Sequence, residues 1–271
     1  MLSYQHAYHA GNFADVVKHI TLCLICDYMK QKDKPLFYLE THSGRGKYDL
    51  SLAIAHKTAE FKTGVSPLWQ NKLALPPVFD SWMSVIEKYN SDALNTYPGS
   101  PLFALSRLRQ QDRFTFCELH PLEFKFLKQL DKNNKSIQFL FDDGVAQMNA
   151  VLPPKEKRGI IFIDPSYEIK EEYQTIPEMI KRCYKKFPTG VYCLWYPILN
   201  NQAHASLLKH INAKDFPDQL NIEFLLDPTP KSGMKGCGML ILNPPYVLKG
   251  QMDEVSNFLQ RLWRGKTDAS A

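Results

Sequence analysis

The stretch Gly159-Ile160-Ile161-Phe162-Ile163-Asp164-Pro165-Ser166-Tyr167 decides the fold. Gly159–Ile163 is short and near-continuously apolar, and it stops at an Asp-Pro turn. Such a run fits a strand covered on both faces, which is the condition of a central strand in a parallel sheet. Other short apolar runs lie on either side of it. Leu36–Glu40 ends in THSGRG, Phe114–Leu119 in ELHP, Ile137–Phe141 in DDG and Gly190–Trp195 in YP. Two late runs, Ile222–Leu226 and Met239–Leu242, complete the set. Between them lie stretches with helical spacing, Asn12–Tyr28, Leu122–Leu130 and Glu172–Lys186. Strands alternating with helices predict βαβ units and an α/β fold, with ligands at the carboxyl ends of the strands.

The interval between the first and second strands is far longer than one crossover helix requires. Residues from about 50 to 95 contain Trp69 and Trp82 in helical patterning, punctuated by Pro67, Pro76 and Pro77. A single domain over 1–271 with a small helical insertion is expected. The 33 Lys and Arg against 28 Asp and Glu leave a net charge of +5, which permits a polyanionic partner without marking a nucleic-acid coat. The longest apolar run, Val191–Tyr196, is too short to span a bilayer, so no membrane partner is expected. The N-terminus lacks the charge and apolar pattern of a signal peptide, so a cytoplasmic location is expected. Cysteines such as Cys23, Cys117, Cys193 and Cys237 sit among apolar residues, as buried free thiols do. Cys23-x-x-Cys26 beside His19 has no second pair at zinc spacing, and no metal is expected. The protein is expected to be a monomer.

Four strand ends carry acids. Glu40 opens E-T-H-S-G-R-G, whose Gly44-x-Gly46 permits a tight turn near a ligand. A dinucleotide fingerprint needs a third glycine where Asp49 stands, which disfavours a nicotinamide oxidoreductase. Glu118 offers acceptors for two ribose hydroxyls, or is a plain strand-end carboxylate. Asp143-Gly144 offers a carboxylate to an adenine amino group, or forms a turn. In chain order at successive strand ends, these describe a pocket for an adenosine-bearing cofactor. Asp164-Pro165-Ser166-Tyr167 adds chemistry. The exocyclic amine of adenine is a poor nucleophile because its lone pair is delocalised into the ring. Two acceptors on its N–H groups, the Asp164 carboxylate and the Pro165 carbonyl, would aim that lone pair at an electrophile. Tyr167 would then be the platform on which an extruded base stacks. The alternative is a proline turn with Tyr167 in the core. Asn243-Pro244-Pro245-Tyr246 is a second such motif, but it follows the last strand, so Asn243 is expected to be structural.

Leu2-Ser3-Tyr4-x-His6, His9-Ala10-Gly11-Asn12-x-Ala14-Asp15-Val16-x-Lys18-His19 and Thr41-His42-x-Gly44-x-Gly46 are distinctive. So are Tyr97-Pro98-Gly99-Ser100-Pro101, Glu118-Leu119-His120-Pro121 and Leu194-Trp195-Tyr196-Pro197. With them the chain, from Met1 to about Lys249, resembles the RlmJ-type 23S ribosomal RNA adenine-N6 methyltransferase family. The resemblance implies a Rossmann-like class I fold with a helical insertion, S-adenosyl-L-methionine as cofactor and 23S ribosomal RNA as partner. It also implies that His19, His42, Ser100, Glu118, Asp143 and Gly144 contact the cofactor, that Asp164 is catalytic, and that Tyr4 lies near the RNA. The family reads Asp-Pro-Pro-Tyr; here Ser166 restores a backbone N–H and loosens the chain. Two other readings compete: a non-catalytic RNA-binding protein that keeps the fold, and an amide methyltransferase acting through Asn243. The basic clusters KEKR at 155–158 and KRCYKK at 181–186 read as solvated faces able to touch phosphate.

Overall fold

A computed structural model describes residues 6–131, 133–211, 214–226 and 233–264. The chain opens with helix α1 (Phe13–Met29), capped by the Asn12 side chain, which accepts from the Asp15 N–H at 2.9 Å. Strand β1 (Phe37–Glu40) follows, buried at every position. The chain then runs through β2 (Lys47–Asp49), α2 (Ala53–Thr58), α3 (Val65–Gln70), α4 (Asp80–Lys88) and β3 (Thr96–Pro98). The two short strands β2 and β3 pair antiparallel. They tie together the two ends of the excursion that the helical patterning predicts, a ribbon too short to show in the sequence.

The main sheet then completes itself. In order come α5 (Ser100–Arg107), β4 (Arg113–Cys117), α6 (Pro121–Leu127), β5 (Ile137–Leu140) and α7 (Gly144–Val151). After them come β6 (Gly159–Ile163), α8 (Glu172–Lys186), β7 (Val191–Leu199), α9 (Ala203–His210), β8 (Gln219–Leu225), β9 (Met234–Leu242) and α10 (Leu248–Arg264). The sheet order is β5-β4-β1-β6-β7-β9-β8. The first five strands in that order are parallel, and β9 runs antiparallel between β7 and β8. Helix α1 packs with α4, α5 and α10, while α8 packs with α7 and α9. This is a Rossmann-like α/β arrangement. The strand order reverses at β1, with β4 on one side and β6 on the other, so a crevice opens at their carboxyl ends.

Two expectations need correction. The run Gly190–Trp195 was expected to end in a Tyr-Pro turn, but β7 continues through Tyr196 and Pro197 to Leu199. Neighbouring β6 ends opposite Leu194, while β9 keeps pairing as far as Met234. Beyond β6 a residue without an N–H forfeits no ladder bond on that side. Strand β9 starts five residues earlier than the apolar run Met239–Leu242, because it includes Gly236 and Gly238. The ring of Tyr196 occupies the space where a Gly238 side chain would be. The glycine that hides the strand in the sequence is the one the packing needs.

Candidate active site

The ends of β4, β5 and β6 deliver Glu118, Asp143 and Asp164 to one cavity of about 510 Å³, and the turn after β1 delivers Thr41, His42 and Ser43. At the end of β1, Glu40 is fully buried, and its carboxyl accepts from the Ser100 hydroxyl and, at 3.0 Å, from Tyr38. Burial pushes it up to about 8, against those hydrogen bonds. The following turn passes through Gly44 at a φ of 58°, in the left-handed region open to glycine. The Gly44 N–H donates to Glu118 at 2.7 Å, and the His120 N–H donates to its other oxygen at 2.7 Å. Glu118 thus spans the β1 and β4 ends, with burial raising its affinity for a proton. A carboxylate has about four acceptor sites, so capacity remains for ligand hydroxyls.

At the end of β5, Asp143 caps α7, accepting from the Val145 N–H at 2.8 Å and the Ala146 N–H at 3.2 Å. A side chain at Gly144 would collide with the Thr41 main chain, so glycine permits the β1 and β5 turns to close over the cavity floor. His19 stacks on Phe103 at 4.7 Å and its Nδ1 meets the Tyr97 hydroxyl at 2.8 Å. Burial pushes His19 down to about 3 and His42 down to about 4, so both rings are neutral at pH 7. His42 pairs with the Thr41 hydroxyl at 2.7 Å. The structure therefore brings His19, His42, Ser100, Glu118, Asp143, Gly144 and Asp164 together around one space.

Asp164, at the end of β6, receives the Lys18 ammonium at 2.7 Å. Lys18 also reaches Asp15 at 3.1 Å and lies 4.8 Å from the Trp195 ring centre. Burial opposes ionisation of Asp15, but His6 and Lys18 outweigh it and hold the carboxyl well below the usual range. Of this His6–Asp15–Lys18–Asp164 chain, only Asp164 is singled out in the sequence for chemistry. Its signal was the i, i+3 spacing of Asp15 and Lys18 on α1, which alone reads as an ordinary surface pair.

Tyr167 differs from the free platform expected. It is 9% exposed, stacks on Tyr173 at 4.4 Å and donates its hydroxyl to the Trp195 carbonyl at 2.8 Å. Its φ of 55° is in the left-handed region, held there by that packing. Tyr167 and Pro165 are not among the residues lining the cavity, whereas Ser166 is. Tyr4 lies outside the described residues. Asn243 stands at the opposite edge of the sheet, where its amide donates to the carbonyls of Pro188 and Gly190 and its oxygen accepts from Tyr184. That accounts for Asn243 as a structural residue.

Among the described residues no lysine or arginine lines the cavity, while Glu118, Asp143, Asp164 and Glu168 do. Ser43 lines it too, and its buried hydroxyl has no hydrogen-bond partner. Neutral histidines, several carboxylates and an orphaned hydroxyl fit a polar ligand bearing positive charge.

A family model described as ribosomal RNA large subunit methyltransferase D, RlmJ, matches residues 33–269. Two relatives are each called ribosomal RNA large subunit methyltransferase J. The one from Haemophilus influenzae is 41% identical over 264 residues, covering 96% of this chain and 94% of the relative. The one from Escherichia coli is 40% identical over 261 residues, covering 96% and 93%. A crystal structure of a Legionella pneumophila protein matches with a TM-score of 0.89 at 48% identity, covering 94% of both chains.

Proposed function

We propose a specific reaction from one premise: the chain belongs to the RlmJ family of ribosomal RNA large subunit methyltransferases. It is an S-adenosylmethionine-dependent enzyme acting on ribosomal RNA. The substrate group proposed is the exocyclic N6 amine of an adenine in 23S ribosomal RNA. The protein is read as a cytoplasmic monomer, one domain with a helical insertion at about 50–95.

The cavity fits the cofactor. His19, His42, Ser100, Glu118, Asp143 and Gly144 would hold it, and Ser43 adds a hydroxyl without another partner. When bound, S-adenosylmethionine supplies an electrophilic methyl group on a cationic sulfonium. That no lysine or arginine among the described residues lines the cavity favours that charge.

Asp164 carries the chemistry in this reading. Lys18 engages one carboxylate oxygen, which orients the group. The remaining acceptor capacity takes an adenine N–H, and the Pro165 carbonyl takes the other. Together they turn the nitrogen lone pair out of the ring and toward the cavity. Tyr167, fixed by Trp195 and Tyr173, is the aromatic wall beside the base. Asp164 accepts the released proton or hands it to solvent. Positioning and charge supply most of the rate, with no covalent enzyme intermediate. The observation that supports this best is the Lys18–Asp164 pair, its lysine buried, beside a cavity of acids.

Incubating wild type and Asp164→Ala with naked 23S RNA and labelled cofactor tests it. N6-methyladenine should form with wild type alone, while both bind S-adenosylhomocysteine. Retained methylation by Asp164→Ala overturns the assignment.

A further inference from the structure

The connections entering the sheet at the amino ends of its parallel strands carry charge that the cavity does not use. In 30–36, 108–112, 128–131, 133–136 and 152–158, nine lysines and arginines stand against four acids. At the carboxyl ends, 41–46, 118–120, 141–143 and 164–171 hold two basic residues against six acids. An RNA backbone approaching the cavity therefore meets repulsion, and the grip on phosphate must come from elsewhere.

Asp112, Glu156 and the arginines of the amino edge are occupied in holding the loops. Asp112 accepts from the Leu36 and Arg109 N–H groups, both at 2.8 Å, and Glu156 is held by Arg113 at 2.9 Å. Arg109 and Arg158 donate to carbonyls at the end of α1, from Lys30 at 3.1 Å and Met29 at 2.7 Å. Helix C-termini at this edge explain those arginines. They do not explain Lys32, Lys34, Lys128, Lys135, Lys155 and Lys157, all exposed and in no ion pair among the described residues. From β5 to the end of β9 the edge crosses five strand spacings, about 24 Å at ~4.8 Å each.

An aromatic residue stands at the same edge. Tyr246 is 84% exposed and meets Tyr28 edge-on at 5.8 Å, two residues before Lys30. The bonds of Asn243 to Pro188 and Gly190 anchor the segment, and Pro244-Pro245 stiffens it. A large exposed ring on a rigid support beside unopposed lysines is the pairing that single-stranded nucleic acid uses, phosphate on cation and base on π-face.

We infer that the amino edge of the sheet is a second RNA-binding surface. It holds a segment of the same ribosomal RNA away from the base being modified, with the exposed lysines on phosphates and Tyr246 stacked on an unpaired base. The identity of the RNA rests on the methyltransferase reading. The surface itself rests on charge and geometry.

The test uses the full chain with Lys32→Glu, Lys34→Glu, Lys155→Glu and Lys157→Glu combined, and Tyr246→Ala separately. Affinity for transcribed 23S RNA is measured across a salt series, alongside methyl-transfer kinetics and S-adenosylhomocysteine affinity. The charge variant should bind the RNA at least about tenfold more weakly near 0.1 M salt. Its slope of log K against log salt should shrink by about 3, for four phosphates at roughly 0.7 each. KM for RNA should rise with kcat and cofactor affinity unchanged. Tyr246→Ala should weaken RNA binding several-fold at the wild-type slope. A charge variant with wild-type RNA affinity and slope overturns the inference. Should it fail to fold, the same four positions as glutamine must still lower the slope. A wild-type protein that binds RNA but transfers no methyl group sinks the catalytic reading alone, because the slope is read without turnover.

Discussion

The carboxyl and amino edges of the same sheet have opposite chemistry. At the carboxyl edge, titratable groups are buried and displaced from their ordinary protonation, with Glu40 pushed up to about 8 and His19 down to about 3. At the amino edge the charges are exposed and the buried acids serve loop anchoring. The contrast separates two tasks. The carboxyl edge, where acids converge, suits a small cation; the amino edge, where lysines face solvent, suits a long polyanion. Electrostatic work at the carboxyl edge is therefore paid in stability, and at the amino edge it is not.

Mutations measure that contrast. The largest effect is expected at Lys18. Lys18→Met leaves Asp164 without its ammonium and Asp15 with only the His6 ring and the Gly11 N–H, costing about 3–5 kcal/mol as measured by denaturant unfolding. A loss under 1 kcal/mol would mean that the carboxyl edge is far wetter than its burial implies. Next comes Gly144→Ala, which drives a methyl group into the Thr41 main chain. It should cost about 1–3 kcal/mol and weaken S-adenosylhomocysteine binding in calorimetry. Unchanged binding would detach the β5 turn from the cavity.

pH gives a smaller, graded effect. His19 is depressed in the folded state, so the unfolded chain takes up protons first. Stability falls as pH drops below about 6.5 toward 3, by up to about 1.4 kcal/mol per pH unit. Glu40 is raised in the folded state, so its contribution is present below about 4.5 and fades as pH climbs through 8. Urea titrations should therefore show an alkaline limb that Glu40→Gln flattens; an unchanged limb would remove Glu40 as its source. The smallest change is expected at the amino edge, where Tyr246→Ala should alter stability by no more than about 0.5 kcal/mol. A larger loss would make that ring part of the core and blur the difference between the edges.

Much of this was legible in the sequence because apolar runs and their polar ends are local. Gly159–Ile163 and Glu172–Lys186 occupy the spans that periodicity predicts. The ends of β4, β5 and β6 bring Glu118, Asp143 and Asp164 to one cavity, as their order along the chain suggested, while Glu40 reaches it only through the Ser100 hydroxyl. The misses are all matters of partners. Strand β7 runs past Pro197 because β9 lies beside it, and β9 hides behind Gly238 because Tyr196 needs the room. Lys18 was invisible as a site residue because Asp164 is 146 positions away in the chain.

By itself, then, the sequence determined an alternating α/β chain, the acids at its strand ends and, through its motifs, its resemblance to a ribosomal RNA methyltransferase family. These follow from short-range pattern, where burial imposes a period and a strand end needs a turn. Only the tertiary structure decided that Lys18 grips Asp164, that Tyr167 is packed inward, and that the surplus lysines face away from the cavity. Those outcomes depend on which residues meet across the fold, and burial and charge act through such meetings whatever the distance along the chain.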